Sequence, residues 1–284
     1  MRHAPLRRRL VINADDFGAS PGANAAILRA HRDGVLTTAS LMVNGPAAEE
    51  AVRIARAHPR LGVGLHLTFV CGTAALSARE NPGLADEQGE LDPNPVRAGF
   101  RYFVHRGLKD ALRREMAAQF DRFSRTGLVL DHVNGHCNFH LHPTVFGLLD
   151  EMLTERGVRA VRVTDDPLGI DMAIGSGPYG YRLSHAFIFR RLSARARPVL
   201  AARGVACTDR VFGLLQNDRI SEDYILRLLD RLPAGDSELY AHPDEAAHAH
   251  ETSALCSPRV RDRLQQLGIE LIRYQDLTSP LFSS

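Results

Sequence analysis

Two carboxylates stand side by side at Asp15 and Asp16, directly after the apolar run Leu10-Val11-Ile12 and just before Phe17-Gly18. Adjacent carboxylates at the end of a buried strand suit a metal or acid–base site. Successive side chains on a strand point to opposite faces, so the two share a site only if the chain turns there. Gly18 and Pro21 permit a turn. A competing reading has one of the two cap the helix that follows, although a cap needs only one carboxylate. Histidine supplies the second kind of group. Of thirteen histidines, four crowd into His132, His136, His140 and His142, while His66 and His242 lie at the ends of other apolar runs. Carboxylate and imidazole together suit a divalent cation such as Zn, Mn or Mg. One Asp with two His leaves positions open for water and substrate, as in a catalytic centre, and frees the second Asp to act as a base.

Elements that could gather these groups follow one another in alternation. A strand at 10–12 leads to a helix at 24–32, stopped by Asp33-Gly34. A strand at 38–43, an alanine-rich helix at 46–58 closed by Pro59, and a strand at 62–67 containing His66 continue the pattern. Residues 70–95, rich in Gly, Pro, Asn and acid, read as a long loop. One long helix or two joined ones span 101–126, with Leu108, Leu112, Met116, Phe120 and Phe123 as a core-facing stripe. A strand at 128–133 enters the histidine cluster, a helix covers 143–156, and a strand at 158–164 runs into Asp165-Asp166-Pro167. The Gly- and Pro-rich 168–181 reads as a loop and 183–202 as a helix that Pro198 should kink or divide. Short strands at 205–207 and 211–214, a helix at 220–232, a strand at 238–241, a helix at 258–267 and a strand at 270–273 complete the series.

Strand–helix alternation implies parallel strands. The expected fold class is α/β, a TIM-like (β/α) barrel, closed or irregular and incomplete. It forms a single domain, 1–284, with the loop 70–95 and a helical insertion at 168–203 inside it. An open doubly wound sheet is the rival, but the glycine-rich dinucleotide fingerprint is missing after the first strand. Asp15, Asp16, His66, His136 and His242 each fall at the C-terminal end of an expected strand. In a parallel barrel those ends meet on one rim.

Bulk properties narrow the function. The 284 residues are 44% hydrophobic, enough for a sizeable core, and the formal net charge of +2 gives no argument for nucleic acid. Lys109 is the only lysine. Cys71, Cys137, Cys207 and Cys256 have no paired spacing, so neither a disulfide framework nor a zinc ribbon is indicated and a reducing cytoplasm is the simplest home. The basic start of the chain runs into too short an apolar stretch for a signal peptide, and no stretch approaches the roughly 20 apolar residues of a membrane span.

Four separated motifs, in order along nearly the whole chain, carry a resemblance. They are Asn13-Ala14-Asp15-Asp16-Phe17-Gly18, Gly64-Leu65-His66-Leu67, Asp131 to His136 running on through His140-Leu141-His142-Pro143, and His242-Pro243. Together they resemble the YdjC family of carbohydrate deacetylases. Leu36 to Val43 and His140 to Thr144 are most similar to its hopanoid-biosynthesis-associated branch. The resemblance implies a barrel-like hydrolase with one divalent metal ion, Mg or Zn with Mn also suitable, that removes acetyl from an N-acetylglucosamine-containing substrate. Asp15 would be the general base toward a metal-held water, Asp16, His66 and His136 the metal ligands, and His242 the acid toward the leaving amine. Asn44, Arg162, Asn134 and His140 would be substrate-binding positions, with Arg162 alternatively orienting a carboxylate. Relatives often carry further histidines where Cys137 and Asn138 stand, and an Asp where Asn134 stands. These departures bear on pocket specificity and, for Asn134, on metal affinity. Cys137 lacks any accompanying acyl-enzyme machinery.

The branch implies an N-acetylglucosaminyl hopanoid glycolipid as substrate. The alternatives are a soluble chitobiose-like oligosaccharide, a metal-dependent phosphoesterase, or a non-catalytic sugar- or lipid-binding barrel. A glycolipid would be met at the inner membrane face, through peripheral contact by Phe100 to Arg106 and by Phe187 to Arg197, stretches that mix apolar residues with arginine. The alternative for both is ordinary helix packing with a solvated arginine face. A homodimer is compatible with the sequence, and nucleic acid is not expected as a partner.

Overall fold

Leu10, Val11, Ile12 and Ala14 are buried on both faces of the first strand, the pattern of a parallel sheet covered by helices. In the computed structural model, which describes residues 7–277, this strand is β1 (Arg8–Phe17) and the sheet is assembled around it. The chain continues through α1 (Pro21–Asp33), β2 (Thr38–Leu41), α2 (Ala48–Ala57), β3 (Gly62–Leu67), α3 (Pro95–Val104), α4 (Lys109–Arg125), β4 (Leu130–Gly135) and α5 (Pro143–Met152). It ends with α6 (Leu168–Ile174), α7 (Tyr179–Ala202), β5 (Arg210–Phe212), α8 (Glu222–Arg231), β6 (Gly235–Ala241), α9 (Ala249–Leu255), α10 (Pro258–Gln266) and β7 (Glu270–Ile272). The strand order is β4-β3-β2-β1-β6-β5, all parallel, with β7 also pairing β1. β6 follows β1 from Arg8 to Ala14, β7 lies beside Arg9–Val11, and β2 lies beside Asn13–Phe17.

The sheet curls into an incomplete TIM-like barrel surrounded by helices, as the alternation of elements implies. Its outer strands, β4 and β5, are linked through residues 159–165. Arg162 donates its backbone N–H to Val133 (3.0 Å), and Val211 donates to Asp165 (3.2 Å). This segment changes neighbours every few residues, so the strands expected at 158–164 and 205–207 exist only as isolated bridges, Val133 with Val161 and Ala160 with Ala206.

Several local expectations are corrected. The helix expected from 101 begins already at Pro95 as α3, and the long loop expected before it is tied down: the Glu115 carboxylate accepts from the N–H groups of Ala75 and Leu76, and Asn81 donates to Ala111 O. The expected loop 168–181 contains α6, tied down by the buried Asp171–Arg182 pair (2.6 Å). Pro198 does not divide α7, which runs as one helix from Tyr179 to Ala202. It and Ala194, four residues earlier, both face outward, where water can take the bond that proline cannot make. The helix α9 carries no strong apolar period and was not expected. The termini of the expected domain, 1–6 and 278–284, lie outside the described residues.

Candidate active site

At the end of β1 the register against β2 slips between Ala14 and Phe17, and Asp16 takes φ 63°. A non-glycine residue in the left-handed region is uncommon and clusters at functional sites. The slip sets the two carboxylates apart in environment, Asp15 buried at the inner wall of a cavity and Asp16 part-exposed. Gly18 then reverses the chain at φ +92°, where a Cβ would stand 3.1 Å from Met42 O. Neither Asp caps α1, because Ser20 Oγ accepts from Ala23 N–H at 2.9 Å.

Around Asp16 stand two imidazoles. Its Oδ1 is 2.8 Å from His136 Nδ1 and 3.2 Å from His66 Nε2, and one ligand atom from each of the three residues lies within 4.8 Å of the others. His66 sits on β3 and His136 directly follows β4, both at C-terminal strand ends. After His136 the backbone passes through two left-handed residues, Cys137 and Asn138. His66 Nδ1 donates to Asn134 Oδ1 (2.7 Å), which leaves Nε2 as the ring atom that faces Asp16. Burial alone would raise the Asp16 carboxyl, but His136 and His66 hold it well below the usual range. Burial would lower His136, and Asp16 holds it well above its ordinary value. One oxygen and two nitrogens, converging and held by a fixed tautomer, suit a divalent cation with open positions.

Asp15 is bound in a different way. Arg162 grips it with two nitrogens, at 2.7 and 3.0 Å, and Asn13 and Asn134 donate to Oδ1 at 2.8 and 3.0 Å. Arg162 also pairs with Glu238 Oε1 (2.6 Å), whose other oxygen takes the Tyr274 hydroxyl, and lies over the Tyr240 ring at 4.3 Å. Burial pushes the Asp15 carboxyl up, yet Arg162, His66 and His242 together hold it far below the ordinary carboxylate range. Asp15 Oδ2 is 4.0 Å from His242 Nε2, across a cavity of about 380 Å³ lined also by Asp16, His136, Cys137, Asp218 and Asp244. The His242 backbone N–H donates to the buried Glu251 (2.6 Å), which also accepts from Ile220 N–H, and its Nδ1 is 3.7 Å from Asp218.

Arg162, Asn134 and His140, expected as substrate-binding positions, have buried side chains that are not among the residues lining this cavity. Arg162 orients the Asp15 carboxylate, Asn134 bridges His66, Asp15 and Ser40, and His140 Nε2 donates to Arg162 O (3.0 Å), with burial pushing its pKa down to about 3. Since a backbone carbonyl only accepts, His140 Nε2 carries the hydrogen. Asn44 lies outside the cavity too, its amide bound to Thr73 O. His132 is held between Asp131 and Ser40, and Gly64 makes room for it: a Cβ there would stand 2.5 Å from its Cε1. His142 stacks on Phe139. Of the four clustered histidines, only His136 reaches the triad.

Sequence reasoning missed Asn13, Ser40 and Glu238. A charged residue inside the apolar strand 238–241 was the available signal for Glu238, since a buried charge requires a partner.

Comparison with known proteins places this architecture. Residues 9–266 match the YdjC-like protein family. A carbohydrate deacetylase of Geobacillus stearothermophilus is 32% identical over 286 residues, covering 95% of this chain and 98% of that protein. A chitooligosaccharide deacetylase of Salmonella paratyphi B is 30% identical over 221 residues, 71% of this chain and 81% of that protein. A crystal structure from Enterococcus faecalis V583 shares the fold, with 24% identity, a TM-score of 0.73 and coverage of 95% of this chain and 99% of that one. The chain belongs to the YdjC-like protein family.

Proposed function

We propose that this chain is a metal-dependent carbohydrate deacetylase that hydrolyses the N-acetyl group of an N-acetylglucosamine-containing substrate. The observation that carries the reading is the meeting, at one cavity, of a cation-ready triad (Asp16, His66, His136) with a separately anchored carboxylate, Asp15, and an opposing imidazole, His242. A divalent cation bound by the triad supplies Lewis acidity toward the acetyl carbonyl and acidifies water. Asp15 takes the proton of the attacking water. Its strong anchorage keeps it ionised and correctly aimed but makes it a weak resting place for that proton. His242, 4.0 Å from Asp15 Oδ2, protonates the departing nitrogen, so that acetate and a free amine leave. Asn134 fixes the His66 tautomer, and Arg162 fixes the orientation of Asp15.

A phosphoesterase would need cations facing the substrate. Instead, Asp15, Asp16, Asp218 and Asp244 line the cavity with no Lys or Arg among the described lining residues. Such a lining favours a neutral amide and an ammonium product over a phosphate ester. The similarity of residues 36–43 and 140–144 to the hopanoid-associated branch favours an N-acetylglucosaminyl group carried on a long apolar lipid; a soluble chitooligosaccharide is the second reading. Acetate release from both substrates, with and without chelator, tests the proposal. Chelator-sensitive release supports it, and the faster substrate selects between the two. Absence of release from either, in the cation-loaded protein, overturns it.

A further inference from the structure

Two helices bear apolar stripes on the wrong side for core packing. On α3, Val96, Phe100, Phe103 and Val104 recur at helical spacing, and Phe100 and Phe103 are 70% and 65% exposed. On α7, Tyr179, Leu183, Phe187 and Ile188 do the same, with Phe187 60% exposed. Opposite faces of both helices are anchored at the rim that holds the carboxylates and histidines. Tyr102 of α3 donates its hydroxyl to Phe69 O (2.8 Å), just beyond β3, and Gly99 O receives His142. Tyr181 of α7 donates to Leu214 O just beyond β5, and Ser193 donates to Thr164 O. The two helices both pack against α5, and Phe103 and Arg195 line one shallow cleft between them.

Charge accompanies these stripes. The chain has 33 acidic residues, yet none falls between Asp92 and Asp110 or between Asp171 and Asp209, the two stretches that contain α3 and α7. The second stretch holds six arginines. Arg106, Arg190, Arg191 and Arg195 are exposed and form no ion pair among the described residues, and Arg191 lies over the Phe187 ring at 4.3 Å. Exposed aromatics with unpaired arginines and no acid complement an anionic bilayer surface: the rings enter the interface and the guanidinium groups meet headgroup phosphates.

We infer that the outward faces of α3 and α7 form a peripheral docking surface for an anionic membrane leaflet, which brings the rim cavity down onto a lipid-borne substrate. This rests on the glycolipid form of the proposed function, but the docking is measured without catalysis. The probes are phosphatidylcholine vesicles with and without phosphatidylglycerol, sedimented with the full chain at low and high salt. The wild-type chain is expected to sediment with the anionic vesicles only, and to be released by salt. F100S/F103S and R190Q/R191Q, all at exposed positions, are expected to weaken that binding about tenfold or more while leaving hydrolysis of a soluble N-acetylated chitooligosaccharide and the melting temperature unchanged. Failure of the wild-type chain to bind anionic vesicles overturns the inference, as does undiminished binding by both variants. A wild-type dimer in sedimentation velocity that the Phe variants dissolve would also overturn it, assigning the face to a second copy. Vesicle binding without acetate release from any substrate would instead remove the proposed function and leave the docking surface standing.

Discussion

Asp15 and Asp16 share a peptide bond, yet the inner and outer halves of the cavity treat them in opposite ways. Asp15 faces inward, where Arg162, Asn13 and Asn134 occupy its oxygens and Glu238 and Tyr274 brace Arg162 in turn. Asp16, turned outward by its left-handed backbone, meets two imidazoles through Oδ1 and no other side chain among the described residues. A carboxylate locked by permanent donors cannot adopt a cation without breaking a buried network. A carboxylate paired with titratable nitrogens can, because the cation takes the place of a proton. The bulge between Ala14 and Phe17 thus lets two neighbouring residues serve different chemistry.

The largest effect should come from the outer half. Asp16→Ala is expected to abolish both divalent-cation binding in calorimetry and acetate release, and retained binding would show that the triad is not the site. In the inner half, Asp15→Asn should reduce kcat by about 10²–10⁴-fold with the cation still bound; unaltered turnover would remove Asp15 as the base. Arg162→Met should cost about 3–5 kcal/mol in denaturant unfolding, because Asp15 and Glu238 are left as uncompensated buried charges. A loss within experimental error would mean the inner network is slack. Asn134→Leu, which frees the His66 tautomer, should weaken cation affinity by about 10–100-fold, and an unchanged affinity would separate Asn134 from the outer half.

Protonation divides the halves as well. In the cation-free protein, Asp16 raises His136 above its ordinary value, and the cation must displace that proton. Affinity should therefore fall as pH drops below the raised His136 value and level off above it, with proton release on binding below that point. Asp15, held far below the ordinary range, should contribute no slope near neutrality. Calorimetry in buffers of different ionisation enthalpy measures both. Binding without proton uptake by the buffer at pH 6 would contradict the pairing of Asp16 with His136.

How much of this was legible in the sequence follows the same division. An apolar run ending in two acids, and imidazoles at later strand ends, are local signals, and they pointed to the residues that the rim gathers. The inner network gives no local signal. Arg162 and Glu238 lie 76 residues apart and meet because the irregular segment 159–165 links the outer strands of the sheet. Asn13, Ser40 and Asn134 look like ordinary strand residues until they converge on Asp15. Histidine type alone could not separate His136 from His132, His140 and His142, whose partners are backbone, Asp131, Ser40 and a stacking ring. The helix α6 was hidden for a related reason: its seven residues are flanked by Pro and Gly, and Asp171 is secured by Arg182 and Gln216.

The most direct test is anomalous diffraction from crystals of the wild-type protein soaked in Mn or Zn. A peak within about 2.0–2.3 Å of one oxygen of Asp16 and one nitrogen each of His66 and His136, with Asp15 still on Arg162, is the predicted result. A peak bound directly by Asp15, or none near the triad at saturating cation, would contradict the division of labour between the two carboxylates.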